Sequence, residues 1–128
     1  MGFNIRIGKL DKRATLYRKG AVTRDPVYNT EITTWVPFAY ENGSPSVARQ
    51  FWVNYVEEMP SRSEGVLQGL VLAKQRGVLR MRYRAGIDSS MRWTIHYDDG
   101  DVVMQIIGGP AILGRKQYLE FMLERITS

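Results

Sequence analysis

The chain has no cysteine and a single histidine, His96, in 128 residues. Without cysteine there is no disulfide, no thiol nucleophile and no thiolate-ligated zinc or iron–sulfur cluster. One imidazole rules out a multi-histidine metal site within one chain. No apolar run approaches the ~18 residues of a membrane span, and the opening MGFNIRIGKLDKR lacks the apolar centre of a secretory signal. Gly2 does not start an acylation motif, because Arg6 stands where Ser or Thr is required. No membrane partner is expected, and the reducing cytoplasm of a cell is the expected place of synthesis.

What is present describes one globular domain spanning 1–128. Hydrophobic residues make up 44% of the chain and charged residues 24%, enough for a core of ordinary size. The net charge is +5, but it is unevenly spread. Residues 1–20 carry six basic side chains against Asp11 alone, and residues 74–92 carry six against Asp88 alone. The remainder is therefore net acidic. Such segregation suits attraction between copies of the chain, or a basic surface turned to nucleic acid.

Period-two alternation dominates the pattern. In Val78–Trp93, Leu79, Met81 and Tyr83 fall on one face of a strand and Arg80, Arg82 and Arg84 on the other. Asp88-Ser89-Ser90 supplies a turn, and alternation resumes over Met91–Ile95. Arg13–Lys19 predicts a first strand, followed by a loop over Gly20–Thr30, where Pro26 excludes a central strand. Glu31–Ala39 is a strand that Pro37 confines to an edge or ends. Glu41–Arg49 is a polar loop. Gln50–Glu57 is a strand with apolar residues on both faces, as burial on both sides or an interface would need. Val66–Lys74 fits helix or strand, with Gly65, Gly69 and Gly77 favouring strand. Asp98-Asp99-Gly100 predicts a type I′ hairpin between Trp93–Tyr97 and Val102–Ile107, which Gly108-Gly109-Pro110 ends in another turn. Tyr118–Ile126 alternates as a last strand. The expected fold is all-β: a small barrel of about seven to nine short antiparallel strands, with long loops and an extended N-terminal arm over 1–12.

Catalytic and metal-binding patterns are weak. GGPAILGRK lacks the spacing of a phosphate loop. Asp98, Asp99 and Asp101 beside His96 suit a turn better than a calcium loop. No serine stands in a nucleophile turn that His96 could serve, and Glu57-Glu58, Glu120 and Glu124 read as solvated charges. The sequence predicts neither enzyme nor cofactor. Interleaved aromatic and basic residues allow a stand-alone nucleic-acid-binding barrel, although alternation sets Tyr83 on the face opposite the arginines.

Several stretches together resemble the head–tail joining (adaptor, or head completion stopper) family of tailed bacteriophages. They are Ile7-Gly8-Lys9-Leu10 with Arg13-Ala14-Thr15-Leu16-Tyr17-Arg18, then Trp35, Trp52-Val53 and Ser63-Glu64. The most specific is Arg80-Met81-Arg82-Tyr83-Arg84-Ala85-Gly86-Ile87 with Met91-Arg92. The similarity covers nearly the whole chain. It departs from the family in a longer interval between Trp35 and Trp52, where 41–49 is inserted, and in Asp88-Ser89-Ser90, which lacks a proline.

The resemblance implies a virion protein at the head–tail interface, assembled in the bacterial host cytoplasm. It would form a homo-oligomeric ring, twelve-fold as the first expectation and six-fold as the second. Its implied partners are a portal or adaptor protein, a tail completion or terminator protein, and double-stranded DNA in the channel. Arg80, Arg82, Arg84 and Arg92 are the candidates for subunit or DNA contact. Asn42, Gly43, Ser44 and Arg49 form a candidate channel or partner loop, and Ile7, Leu10 and Arg13 a candidate portal-facing arm. A tail-side completion or terminator protein is the nearer alternative.

Overall fold

The computed structural model describes residues 8–42, 44, 46–58 and 75–126. Seven strands account for most of them: β1 (Lys12–Arg24), β2 (Glu31–Pro37), β3 (Gln50–Glu58), β4 (Arg76–Arg82), β5 (Arg92–Tyr97), β6 (Gly100–Leu113) and β7 (Tyr118–Arg125). All pairings are antiparallel, in the order β2-β1-β3-β4-β7-β6-β5, and a further β1–β5 ladder joins the two ends of the run β1 to β5. The sheet thus closes on itself through six strands as a barrel-like cycle, with β2 added outside on β1. Among the described residues there is no helix. The all-β expectation holds, and the strand count meets its lower bound. The expectation over Val66–Lys74 lies outside the described residues.

Closure places the inward phase of every barrel strand in one core. Ala14 and Leu16 come from β1, Phe51, Val53 and Tyr55 from β3, Leu79 and Met81 from β4. Trp93 and Ile95, Met104, and Leu119, Phe121 and Leu123 complete it from β5, β6 and β7. Trp93 is fully buried and meets Phe51 and Phe121 edge-on, with ring centroids 6.1 and 5.6 Å away. Edge-to-face contact sets the positive ring edge against the negative face.

Several boundaries differ from expectation. β1 does not stop at Lys19 but runs through Gly20 to Arg24. A register shift between Lys19 and Val22 absorbs the glycine, and Thr34 donates its hydroxyl to the Ala21 carbonyl at 2.6 Å. A Cβ on Gly20 would lie 2.9 Å from Thr34 Oγ1, so glycine here allows the strands to approach rather than breaking them. The turn itself is Asp25–Thr30. The Asp25 carboxylate accepts from the Val27 amide at 2.7 Å, and Asn29 takes the left-handed φ of 57°. β2 is the edge strand and ends at Pro37, as its proline requires.

The second hairpin turns at Asp98-Asp99, but neither aspartate has the positive φ of a type I′ turn. Gly100 carries it instead, at 141°. Gly108-Gly109-Pro110 likewise does not end β6. The strand passes through it by slipping register against β7 twice, between Ile106 and Gly108 and between Gly108 and Ala111. Such bulges bend a strand, and bending is what lets one 14-residue strand serve both β5 and β7. Gly109-Pro110 is cis.

β3 packs Tyr55 directly over Gly77 of β4, where a Cβ would collide with the phenol ring. The buried Tyr55 hydroxyl makes no well-aligned hydrogen bond among the described residues, and the Gln75 side chain approaches it only weakly. Burial, reinforced by Tyr97 and Glu57, pushes its ionisation up from 10.0 to about 12, with Gln75 offsetting a little of the rise. The folded chain therefore holds this proton more tightly than the unfolded chain does. Stability linked to Tyr55 is intact below pH 10 and falls away as pH rises through about 12. Tyr55→Phe is expected to remove that part of the alkaline unfolding. At pH 7 it should leave the melting temperature within a few degrees of the parent, because the phenol hydroxyl gives up only a weak contact with the Gln75 side chain. Paired pH-dependent melts checked by tyrosinate absorbance test both halves.

Candidate functional site

The register of β4 decides where the candidate arginines go. Arg80 lies opposite Glu120 and Arg76 opposite Glu124 across the β4–β7 ladder. Arg80 Nε donates to Glu120 Oε2 at 2.7 Å, and Arg76 Nε to Glu124 Oε2 at 3.0 Å. Gln105 of β6 reaches the other oxygen of Glu124 at 3.4 Å. Glu120 and Glu124 are therefore not solvated charges but partners for β4, and Glu124 is buried. The half-exposed Arg80–Glu120 pair contributes roughly 0–1 kcal/mol. Its larger effect is to occupy Arg80 within its own subunit.

The other cations rest mostly on rings. Arg92 lies 4.1 Å from the Trp35 centroid, and the burial that results lowers its pKa from the ordinary value. Arg13, exposed on β1, lies 4.5 Å from the Trp52 centroid. Arg84 sits over Phe51 at 5.3 Å and Phe38 at 5.7 Å, while Arg49 approaches Phe51 at 5.6 Å. These are cation–π distances, worth about 0.5–1 kcal/mol where exposed. Arg82 differs. It is exposed and has no ion-pair or ring partner among the described residues. The four candidate arginines thus resolve into three engaged side chains, Arg80, Arg84 and Arg92, and one outward cation, Arg82.

Arg49, Arg82 and Arg84 nevertheless converge. The β3–β4 ladder stops at Val53–Met81, and β4 itself stops at Arg82. Beyond that point β3 stays with β1, while Tyr83 turns its amide to the Gln117 carbonyl at 2.9 Å. The two strands part, opening a cleft of about 290 Å³. Its floor includes Leu10, Phe51 and Met81, its walls carry Trp52 and Tyr83, and its cations are the three arginines. Lys116 stands over the Tyr83 ring at 5.9 Å. No acidic residue lines the cleft among the described residues. Leu10 and Arg49 belong to two other candidate groups, which the fold brings here from distant parts of the sequence.

The remaining candidates separate. Ile7 and Gly43 lie outside the described residues. Asn42 is exposed and Ser44 half-buried in a small turn that closes on itself, with a Tyr40–Ala48 bridge and Glu41 N–H donating to the Val47 carbonyl at 2.9 Å. The Asp88 carboxylate accepts from the hydroxyl and the amide of Ser90, which hold its pKa below the ordinary carboxylate value. That fixes the turn between β4 and β5.

His96 bridges three strands. Its Nε2 lies 2.7 Å from Thr15 Oγ1 and its Nδ1 2.8 Å from Asp101 Oδ1. The order hydroxyl–imidazole–carboxylate is that of a catalytic relay. Here the hydroxyl belongs to a buried threonine in mid-ladder, closed to an incoming carbonyl. The chain of hydrogen bonds ties β1 to β5 and β6. Among the described residues, no group of three or more His, Asp or Glu side chains is placed to hold a metal ion.

A large apolar surface has no counterpart in the strand pattern of the sequence. Beyond Tyr17, β1 pairs with β2 alone, so the two strands leave the barrel as a ribbon. Val22, Val27, Tyr28 and Ile32 are exposed on it, Val27 and Tyr28 to more than three-quarters of their area. The signal lay in the apolar pair beside Pro26, inside a stretch expected to be only a loop. On β3, Trp52 and Val56 are exposed as well, so the second apolar face of that strand is surface rather than core.

The model of the phage head completion protein family matches residues 5–126. The solution structure of protein SF1141 from Shigella flexneri 2a is similar at a TM-score of 0.60 and 24% identity, over 94% of this chain and 96% of that one. That likeness bears on the fold alone. No curated protein matches the chain.

Proposed function

The chain belongs to the phage head completion protein family, and from that premise we propose that it is a structural protein of the head–tail connector. In this reading, copies assemble as a ring under the portal vertex, extend the DNA channel, help to retain the packaged genome and present a surface to the tail. The observation that carries the proposal is the family match over almost the entire chain. Two further features support it. Basic and acidic side chains are segregated along the sequence, an arrangement that head-to-tail neighbours can use. The apolar β1–β2 ribbon stands clear of the barrel, and an isolated two-stranded ribbon is at best marginally stable without something to pack on.

Imaging of assembled particles tests the reading. The expected result is a ring of density for this chain between portal and tail. Complete particles lacking the chain, or density on the tail side of the joint, overturn it. A second prediction concerns the ribbon. Val27→Asp with Tyr28→Asp should leave the melting temperature of the isolated chain within a few degrees, since both side chains are already exposed. The same pair should reduce incorporation into particles by about tenfold or more, the effect of truncating one well-packed interfacial anchor. Quantifying the chain in purified particles reads the effect.

A further inference from the structure

We infer that the arginine cleft between β3 and β4 receives the acidic β5–β6 turn, Asp98-Asp99, of a second copy of this chain. The inference rests on the ring reading and names the contact that would build the ring.

Three observations lead to it. First, the cleft is cationic without being a phosphate groove. Arg49 and Arg84 lie against the Phe51 ring, the floor is apolar, and Arg82 alone reaches outward. A duplex offers a broad charged ridge, whereas this recess suits a compact acidic knob with some apolar contact. Second, the turn is such a knob. Asp98 and Asp99 are both exposed at the tip of the hairpin, and among the described residues neither has an ion-pair partner, whereas Asp101 is taken by His96. Two carboxylates can each accept a forked guanidinium. Third, the two features stay unmatched within one chain. Asp98 lines a separate recess with Asp11, Lys12 and Arg13, which meets the cleft at Trp52, and among the described residues neither aspartate pairs with Arg49, Arg82 or Arg84. A donor and an acceptor left unpaired in one copy match between copies, and repeating a heterologous contact with rotation closes a ring.

The absence of cysteine makes the contact directly testable. Particles are assembled with Arg82→Cys plus Asp99→Cys as the only version of the chain and treated with a short bismaleimide. Covalent multimers are expected from the double variant and monomers from either single variant, because a heterologous contact pairs position 82 with 99 and neither with itself. In parallel, Arg82→Glu should lower incorporation by about tenfold or more, the scale of a close interfacial charge pair. Adding Asp99→Arg should restore most of it. Particles that hold several copies yet yield only monomers overturn the contact, as does a charge swap that rescues nothing. Genome loss with Arg82→Glu, unrepaired by Asp99→Arg, assigns Arg82 to DNA instead and also overturns it. A single copy per particle, by contrast, defeats the ring reading itself.

Discussion

Replacing Trp93 by alanine is expected to cost about 3–5 kcal/mol, the range for emptying a large buried aromatic site. Whole domains of this size have only about 5–15 kcal/mol of stability. Trp93 is fully buried, and it bridges opposite sides of the barrel by touching Phe51 of β3 and Phe121 of β7. Both rings would be deprived of an edge-to-face partner, and strands anchored in closed ladders cannot collapse far into the void. With a urea m-value of about 1.5 kcal/mol per M, the midpoint should fall by about 2–3 M. Trp93→Phe should cost much less, because the buried indole N–H makes no hydrogen bond among the described residues and one aromatic edge survives. Equilibrium urea titrations of both variants check the order. A midpoint for the alanine variant within about 0.5 M of the parent would mean that Trp93 does not hold the barrel together.

Gly109→Ala should cost at least about 2 kcal/mol, even though the residue lies near the surface, from two additive causes. Its φ of 91° lies in the region that side chains avoid, and an added Cβ would sit 2.6 Å from the Glu120 carbonyl oxygen on β7. That oxygen is backbone in a ladder and cannot swing aside. Relief requires the bulge to open, which loosens the β6–β7 pairing next to the Arg80–Glu120 ion pair. For a chain of this length, each kcal/mol lowers the melting temperature by roughly 3–6 °C. The expected fall is therefore about 6–12 °C. Gly100→Ala separates the causes. Gly100 also has a positive φ, 141°, but a Cβ there meets nothing within 4 Å. It should show the conformational cost alone. Equal melting shifts for the two variants would remove the steric half of the explanation.

Much of the inward face was legible because strand periodicity is local. Leu79 and Met81, Phe51, Val53 and Tyr55, and Leu119, Phe121 and Leu123 alternate within their own segments, and each set is buried. Turn chemistry was nearly as readable at Asp98-Asp99 and at Asp88-Ser89-Ser90. Glycine misled at Gly20 and at Gly108-Gly109. Both looked like strand ends, yet their neighbours across the ladder come close enough to favour a residue without Cβ. That proximity is set by β2 and β7, distant in sequence, so composition within a short window does not contain it.

The candidate site shows the same division. Alternation along Val78–Trp93 correctly set Arg80 and Arg82 opposite Leu79 and Met81. It could not reveal that Glu120, forty positions later, would face Arg80. Nor did it reveal that β3 and β4 part after Met81, collecting Arg49, Arg82 and Arg84 around one cleft.

The all-β class, the inward-facing set and the family resemblance, which the match over residues 5–126 bears out, follow from local order along the chain. Side-chain alternation, turn residues and short motifs are properties of neighbours in the sequence. Which arginines are engaged internally, where a cationic recess opens and which apolar residues stay outside are settled by folding alone. Those depend on register between strands brought together by closure of the sheet, and register is a property of pairs far apart in the sequence.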